Sequence, residues 1–346
     1  MNDIFRKLKG FMDALVSSDE FSGSVLIMKN SIVAFEFSSG FVDRKSNTLN
    51  KINTKFNIGS MDKMFTAVSI GQLVQNGKLD FDDNIGKYIS DFPSDVADKM
   101  TIDYILSHKD GFPSYFNDKY IETRLKLKTV NDYIKLFKDE PLLFEPGEKY
   151  QYSNSGYVVL GAIIEAVTGM SYYDYVREKI FDIAEMKNTG SFDPSGDNPK
   201  VAQGYTKRKK FSQQIIEGSK RNNISELPAM GSPAGGGYST CEDLYKFSVA
   251  LLENKLLNPE MTDLILTPKV TVGTKEGTTL YYGYGFQILD VGDGNHRFGH
   301  AGGLAGANSR LDMYPWLDYT VVVLANYDQP AAFRVANKIG ELIFRD

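Results

Sequence analysis

The chain opens on a helical pattern. In MNDIFRKLKGFMDALV the apolar residues Ile4, Phe5, Leu8, Phe11, Met12 and Leu15 share one helical face, with charges interleaved, which predicts an amphipathic helix packed on a domain. SGSVLIMKN and SIVAFEFSSG are then short β-rich runs meeting at Lys29-Asn30, the pattern of an antiparallel hairpin. Helical spacing returns after Ser60 in MDKMFTAVSIGQLVQNG, which ends on Asn-Gly and so sets Ser60 at or near a helix N-terminus. Further helices are predicted at about 101–108, 130–139, 155–168, 171–180 and 241–253. Beyond about residue 278 the β pattern resumes in YYGYGFQILD, NHRFGHAG, SRLDMYP and DYTVVVLAN, and an amphipathic helix, AAFRVANKIGELIF, closes the chain.

Strands at both ends and helices between them predict an α+β fold: one antiparallel sheet built from both chain ends, flanked by the terminal helices, with a large mostly helical region inserted. The expected division is a discontinuous lobe of residues 1–57 and 268–346 and a mostly helical lobe of residues 58–267. The polar stretch from about 196 to 237 holds the basic run Lys207-Arg208-Lys209-Lys210, read as a solvated loop or hairpin tip.

Composition narrows the function classes. The 346 residues are 42% hydrophobic and 24% charged, with a net charge of −5 and a pI near 5.4, which offers no general attraction for nucleic acid or anionic lipid. A single cysteine, Cys241, excludes an internal disulfide, and the three histidines, His108, His296 and His300, form no metal-binding motif. No metal and no cofactor are expected. No segment reads as a secretory signal or a membrane span, so the chain as it stands is expected to be cytoplasmic, or extracytoplasmic if a leader preceded it.

Three short patterns carry chemistry. Ser60-Met61-Asp62-Lys63 is the one Ser-x-x-Lys in the chain; on a helix its hydroxyl and amine share a face, and a desolvated lysine can take a serine proton. The plainer reading makes Ser60 an N-cap and Lys63 a surface lysine. Tyr152-Ser153-Asn154 lies between a turn-rich segment and a helix, where the tyrosine hydroxyl could relay the serine proton and the amide could hold a substrate carbonyl or orient Lys63. The same spacing at Tyr115-Phe116-Asn117 follows a Gly-Phe-Pro turn, so Tyr115 is read as a loop aromatic. The third pattern is His300-Ala301-Gly302. His296 and His108 are read as structural, His108 capping carbonyls at a helix C-terminus. No Gly-x-Ser-x-Gly nucleophile elbow is present; Ser239 is read as a helix N-cap with Glu242 completing a capping box.

Together, Ser-x-x-Lys, Tyr-x-Asn and His-x-Gly, with FNIGSMDKMFTA, LSHKDGFPSYF, FEPGEKYQYSNSGYVVLGAIIEAVTG and PAGGGYSTCEDLYKF around them, resemble the penicillin-recognising serine hydrolases, in the branch related to class C β-lactamases that includes D-specific peptidases, amidases and esterases. The resemblance implies an active site in the cleft between the lobes, with Ser60 as acylated nucleophile, Lys63 and Tyr152 sharing the proton, and His300 hydrogen-bonding near Tyr152. It implies an oxyanion hole from the backbone N–H groups of Ser60 and Gly303, and substrate contacts from Asn154 and Gly302. The expected substrate is a small ester, amide, D-amino-acid peptide or β-lactam. The alternative is a penicillin- or peptide-binding sensor that is acylated but barely deacylates. Where the β-lactamases carry Lys-Thr-Gly this chain has His-Ala-Gly, which implies weak β-lactam hydrolysis, because a histidine is mostly neutral near pH 7. Loops near 110–130, 196–235 and 268–285 are expected to shape the pocket.

Overall fold

The computed structural model describes residues 3–194, 200–275 and 277–344; residues 196–199 of the polar stretch, Glu276 of the 268–285 loop and the first two residues of the opening segment lie outside them. Strands β1 (Gly23–Lys29), β2 (Ile32–Ser39), β3 (Val270–Lys275), β4 (Thr278–Tyr282), β5 (Gln287–Asp290), β6 (His296–Leu304), β7 (Ala307–Tyr314) and β8 (Tyr319–Ala325) form one sheet in the order β2-β1-β8-β7-β6-β5-β4-β3. All neighbours are antiparallel. The hairpin near the N-terminus therefore sits beside the last strand of the chain. The main helices are α1 (Asp3–Ser17), α2 (Asp62–Gln75), α3 (Ile102–Leu106), α4 (Ser155–Thr168), α5 (Cys241–Leu252) and α6 (Ala331–Ile343).

Both faces of the sheet are covered. Val321 and Val323 of β8 pack into a cluster with Leu8 and Met12 of α1 and Val335 and Ile339 of α6, while Val322 and Leu324 join the larger core of the helical region. That two-sided burial is why β8 reads as a continuous apolar run. On the side of the larger core, α2 is buried from Asp62 through Leu73, so the helix after Ser60 runs through the core.

Some local expectations shift. The hairpin turns at Asn30-Ser31, whose φ angles of 49° and 60° are left-handed, and YYGYGFQILD divides between β4 and β5 around Gly283–Phe286. The helix expected over 130–139 stops at Ile134, and that over 171–180 passes from α (Tyr172–Val176) to π (Arg177–Phe181). Thr240, not Ser239, caps α5: its side chain accepts the Asp243 N–H at 3.2 Å, while Ser239 pairs as a strand residue with Phe56. Among the described residues, no helix is long and apolar enough to cross a membrane.

The sheet and the Ser60 segment meet backbone to backbone. A Cβ on Gly302 of β6 would lie 1.8 Å from the Ile58 carbonyl oxygen, which also accepts the Ser309 hydroxyl of β7 at 2.7 Å. Gly302→Ala must push these elements apart. It is expected to cost about 3 kcal/mol, the upper part of the usual overpacking range, and to reduce Ser60 labelling by a fluorophosphonate. Thermal unfolding checks this, and an unchanged Tm would mean that the close approach does not exist.

Candidate active site

Ser60 is the middle residue of a single 3₁₀ turn (Gly59–Met61) that runs into α2, and neither the turn nor α2 carries a side-chain cap. The N-cap reading of Ser60 therefore fails. Lys63, one helical turn on, is 0% exposed, so the surface reading fails as well. Its Nζ donates to the Ala234 carbonyl at 2.6 Å and to Asn154 Oδ1 at 2.7 Å, and lies 4.8 Å from the centre of the Tyr152 ring. Burial pushes the ammonium down to about 7, against the opposing pull of the neighbouring Asp62 carboxyl. A buried amine with uncharged acceptors gives up its proton more readily than one in water.

The acceptor at Ala234 belongs to the segment Gly231–Gly237, which is fixed to α2 at several points. The Thr66 hydroxyl donates to the Pro233 carbonyl at 2.7 Å, and the Gly237 N–H donates to Asp62 Oδ2 at 2.6 Å. Asn154 stands at the head of α4 without capping it; Ser153 Oγ instead accepts the Gly156 N–H at 3.1 Å. The Asn154 carbonyl is thus free to hold Lys63.

Burial raises the Tyr152 hydroxyl well above its ordinary value, and the neighbouring Ser60 opposes the rise. Because Tyr152 is 39% exposed, water in the open cleft tempers the effect of burial. Ser60, Lys63, Tyr152 and Asn154 thus come together as expected. His300 differs: its Nε2 lies 3.0 Å from the Tyr282 hydroxyl and its Nδ1 lies 2.6 Å from the Ala301 carbonyl oxygen. A carbonyl only accepts, so Nδ1 carries the proton and Nε2 accepts from Tyr282. The expected hydrogen bond near Tyr152 is therefore made to Tyr282, which sequence reading had placed in a strand with no role. Burial, then the Lys63 charge, push His300 down to about 3.

His108 also departs from expectation. Its ring caps no carbonyl; Nδ1 accepts the Ser153 N–H at 3.2 Å, and the ring packs 4.3 Å from that of Tyr152. Tyr115, read as a loop aromatic, does lie in a loop but is buried, with its hydroxyl 3.2 Å from Ser232 Oγ.

A cleft cavity of about 200 Å³ opens at Ser60, lined also by Asn154, Tyr115, Phe211, Gly235 and Gly303. A Cβ on Gly59 would stand 2.7 Å from the Gly303 nitrogen, so that nitrogen comes beside the Ser60 turn. Gly302 is buried behind the turn and does not line the cavity, contrary to its expected substrate contact. Of the three loops expected to shape the pocket, those near 110–130 and 196–235 contribute lining residues and 268–285 does not.

A family model described as Beta-lactamase matches residues 6–343. The chain belongs to the Beta-lactamase family. As a member of that family it is a serine hydrolase. It is 30% identical to the putative penicillin-binding protein PbpX of Bacillus subtilis, covering 93% of this chain and 75% of that one. It is 26% identical to the teichoic acid D-alanine hydrolase of Staphylococcus aureus, over 80% of this chain and 64% of that one. Among solved structures, a penicillin-binding protein from Bacillus halodurans superposes with a TM-score of 0.84 at 32% identity, covering 95% of this chain and 98% of that one.

Two outcomes follow from these β-lactamase-family surroundings. A neutral Lys63 amine is the form that accepts a proton, and its fraction grows as pH rises through about 7. Fluorophosphonate labelling of Ser60 is expected to climb about tenfold between pH 6 and pH 8; a flat profile would remove Lys63 from the proton path. The second concerns Asp110, fully buried, whose carboxyl burial raises to about 7 against the hydrogen bond from the Phe112 N–H. Its folded pKa lies above the unfolded one, so its stabilising contribution is complete below about pH 4 and is lost as pH rises through about 7. Asp110→Asn should flatten that fall, by on the order of 2–4 kcal/mol between pH 5 and pH 8, readable by chemical denaturation at the two pH values.

Proposed function

We propose that this serine hydrolase cleaves a small ester, amide or peptide of a D-amino acid through an acyl-enzyme at Ser60. The observation that carries the reading is that Ser60 lines the cavity one helical turn before the buried, uncharged-tending amine of Lys63, which lies 4.8 Å from the centre of the Tyr152 ring. The D-configured substrate class is supported by the likeness to the Staphylococcus aureus teichoic acid D-alanine hydrolase.

In this mechanism Ser60 Oγ attacks the substrate carbonyl carbon as its proton passes to Lys63, with Tyr152 bridging the two. The negative charge that forms on the carbonyl oxygen is met by the backbone N–H groups of Ser60 and Gly303. The tetrahedral intermediate collapses when Tyr152 delivers a proton to the leaving oxygen or nitrogen, whose bond to carbon breaks. Water then attacks the ester carbon, gives its proton to the same pair, and releases the acid with Ser60 restored. His300 holds Tyr282 beside the site and exchanges no proton. β-Lactams enter by the same acylation step.

Ser60→Ala is expected to abolish turnover of p-nitrophenyl esters and D-aminoacyl amides, by at least about a thousandfold. Intact mass after incubation with penicillin separates the hydrolase from a sensor. Rapid return to the free mass supports hydrolysis. A stable adduct on Ser60 without ester or amide turnover would replace this reading with the sensor.

A further inference from the structure

The wall of the cavity away from Ser60 is made of rings and aliphatic groups: Tyr115, Tyr120, Tyr133, Phe211, Leu227 and Pro228. Two of the tyrosines already spend their polar ends on protein. Tyr133 donates to the Met230 carbonyl at 2.5 Å and Tyr115 pairs with Ser232 at 3.2 Å, so both hydroxyls are engaged within the protein. Phe211 reaches this wall from the turn of the segment between Tyr205 and Asn222. Its backbone is left-handed at φ 53°, and its N–H is held by Glu226 Oε2 at 2.7 Å. The Arg124 guanidinium lies 5.0 Å from its ring centre. The ring is therefore anchored from its backbone and from one face, and forms a fixed roof.

Charge is the second observation. Among the described residues, none that lines the cavity is Lys or Arg, and the one acidic side chain there, Glu226, is paired with Arg221 at 2.5 Å. Arg124 donates to the Ser225 carbonyl at 2.9 Å and to the Ile121 carbonyl. On the sheet side, β-strand alternation puts Arg297 and Arg310 on the face opposite His300, where both pair with Asp312 at 3.2 Å and 3.0 Å. His300 has nothing left to offer, because one nitrogen accepts from Tyr282 and the other donates to Ala301. Arg124 and Lys210 lie at the Phe211 ring, 5.0 Å and 5.2 Å from its centre, and are not among the lining residues, so a substrate carboxylate beside Ser60 would be desolvated with no lining cation and no spare imidazole N–H to replace its water.

We propose, resting on the hydrolase reading above, that the cleft selects esters and amides whose acyl group carries a large apolar side chain, and rejects substrates with a free carboxylate beside the scissile bond. The aromatic wall takes the acyl side chain. The leaving group is neutral. This sets the enzyme apart from carboxypeptidase chemistry, in which the residue released carries its carboxylate into the site.

Four thioesters test it: the thioglycolate thioesters of N-acetyl-D-phenylalanine and N-acetyl-D-alanine, each with the glycolate carboxylate free or capped as the carboxamide. Thioesters are reactive enough that turnover is read directly from thiol release. The capped form of each pair is expected to exceed the free acid at least about tenfold in kcat/KM, the scale of one unpaired charge partly desolvated. The phenylalanyl ester should exceed the alanyl ester by about tenfold or more, the scale of burying an aromatic ring. Phe211→Ala should bring that second ratio close to one, and Leu304→Arg, which adds a cation to the wall, should narrow the first. Ser60-dependent turnover with equal rates for free and capped forms, or with no preference between the side chains, would overturn the proposal and leave the hydrolase reading standing. No Ser60-dependent turnover of any of the four, together with no fluorophosphonate labelling, would overturn both.

Discussion

The structure is organised around one buried amine. Lys63 sits in the core, fully buried, and a buried amine without partners would cost several kcal/mol. Its two acceptors come from distant parts of the chain, Ala234 and Asn154, and both are uncharged. They satisfy the N–H groups without restoring the charge preference that a carboxylate acceptor would give. That choice requires the Gly231–Gly237 segment to run against α2, which the bonds from Thr66 and to Asp62 enforce, and requires Asn154 to leave its own helix uncapped. The position of α4, of the glycine segment and of α2 are thus set by the same group.

The second constraint is the contact between the sheet and the Ser60 turn. Bringing a strand backbone to within a Cβ's reach of Ile58 is possible because Gly302 has no side chain there, and it sets Gly303 and His300 relative to Ser60. A glycine weakens a strand by itself. Here the loss is offset by pairing to β7 from Phe298 through Leu304, with β5 paired along the first part of the strand, His296 through Gly299. The Ser60 end of the site therefore lies between a strand paired to β7 and a helix sunk in the core, while loops supply much of the rest of the cavity lining.

How far the sequence could foretell this follows from where each signal lies. α2 and α4 were legible almost to the residue, because their apolar spacing is long and their ends carry turn residues. The antiparallel sheet from both chain ends was legible because β8 is a run of branched apolar residues and β1 and β2 are separated by a turn. β3 was not: its side chains are mostly exposed, so nothing in Val-Thr-Val-Gly-Thr-Lys alternates toward a core. In the site, Ser60, Lys63, Tyr152 and Asn154 were legible as spaced patterns. Tyr282 was not, because its role is a tertiary hydrogen bond to His300 from a strand paired two places away, and no spacing encodes that. Tyr115 was passed over because a turn-following aromatic looks alike whether it faces solvent or a cavity; its one distinguishing signal was the repeated Tyr-x-Asn.

The aromatic residues around Lys63 also explain why a site so poor in histidine can move protons. Burial raises the pKa of acids and lowers that of bases, so these buried neighbours are held in their neutral forms: Tyr157 and Tyr282 are pushed up, and His108 and His300 are pushed down. Lys63 and Asp62 are the exceptions among these neighbours, each driven toward about 7, close enough to a working pH that either charge state is accessible at small cost. A second cation at the His300 position would repel the lysine charge and bind whatever anion entered the cleft. A neutral imidazole with both nitrogens spent does neither. The same burial that makes His300 chemically silent therefore leaves Lys63 and Asp62 as the neighbours whose charge can change near neutral pH, the condition that the proposed acylation needs.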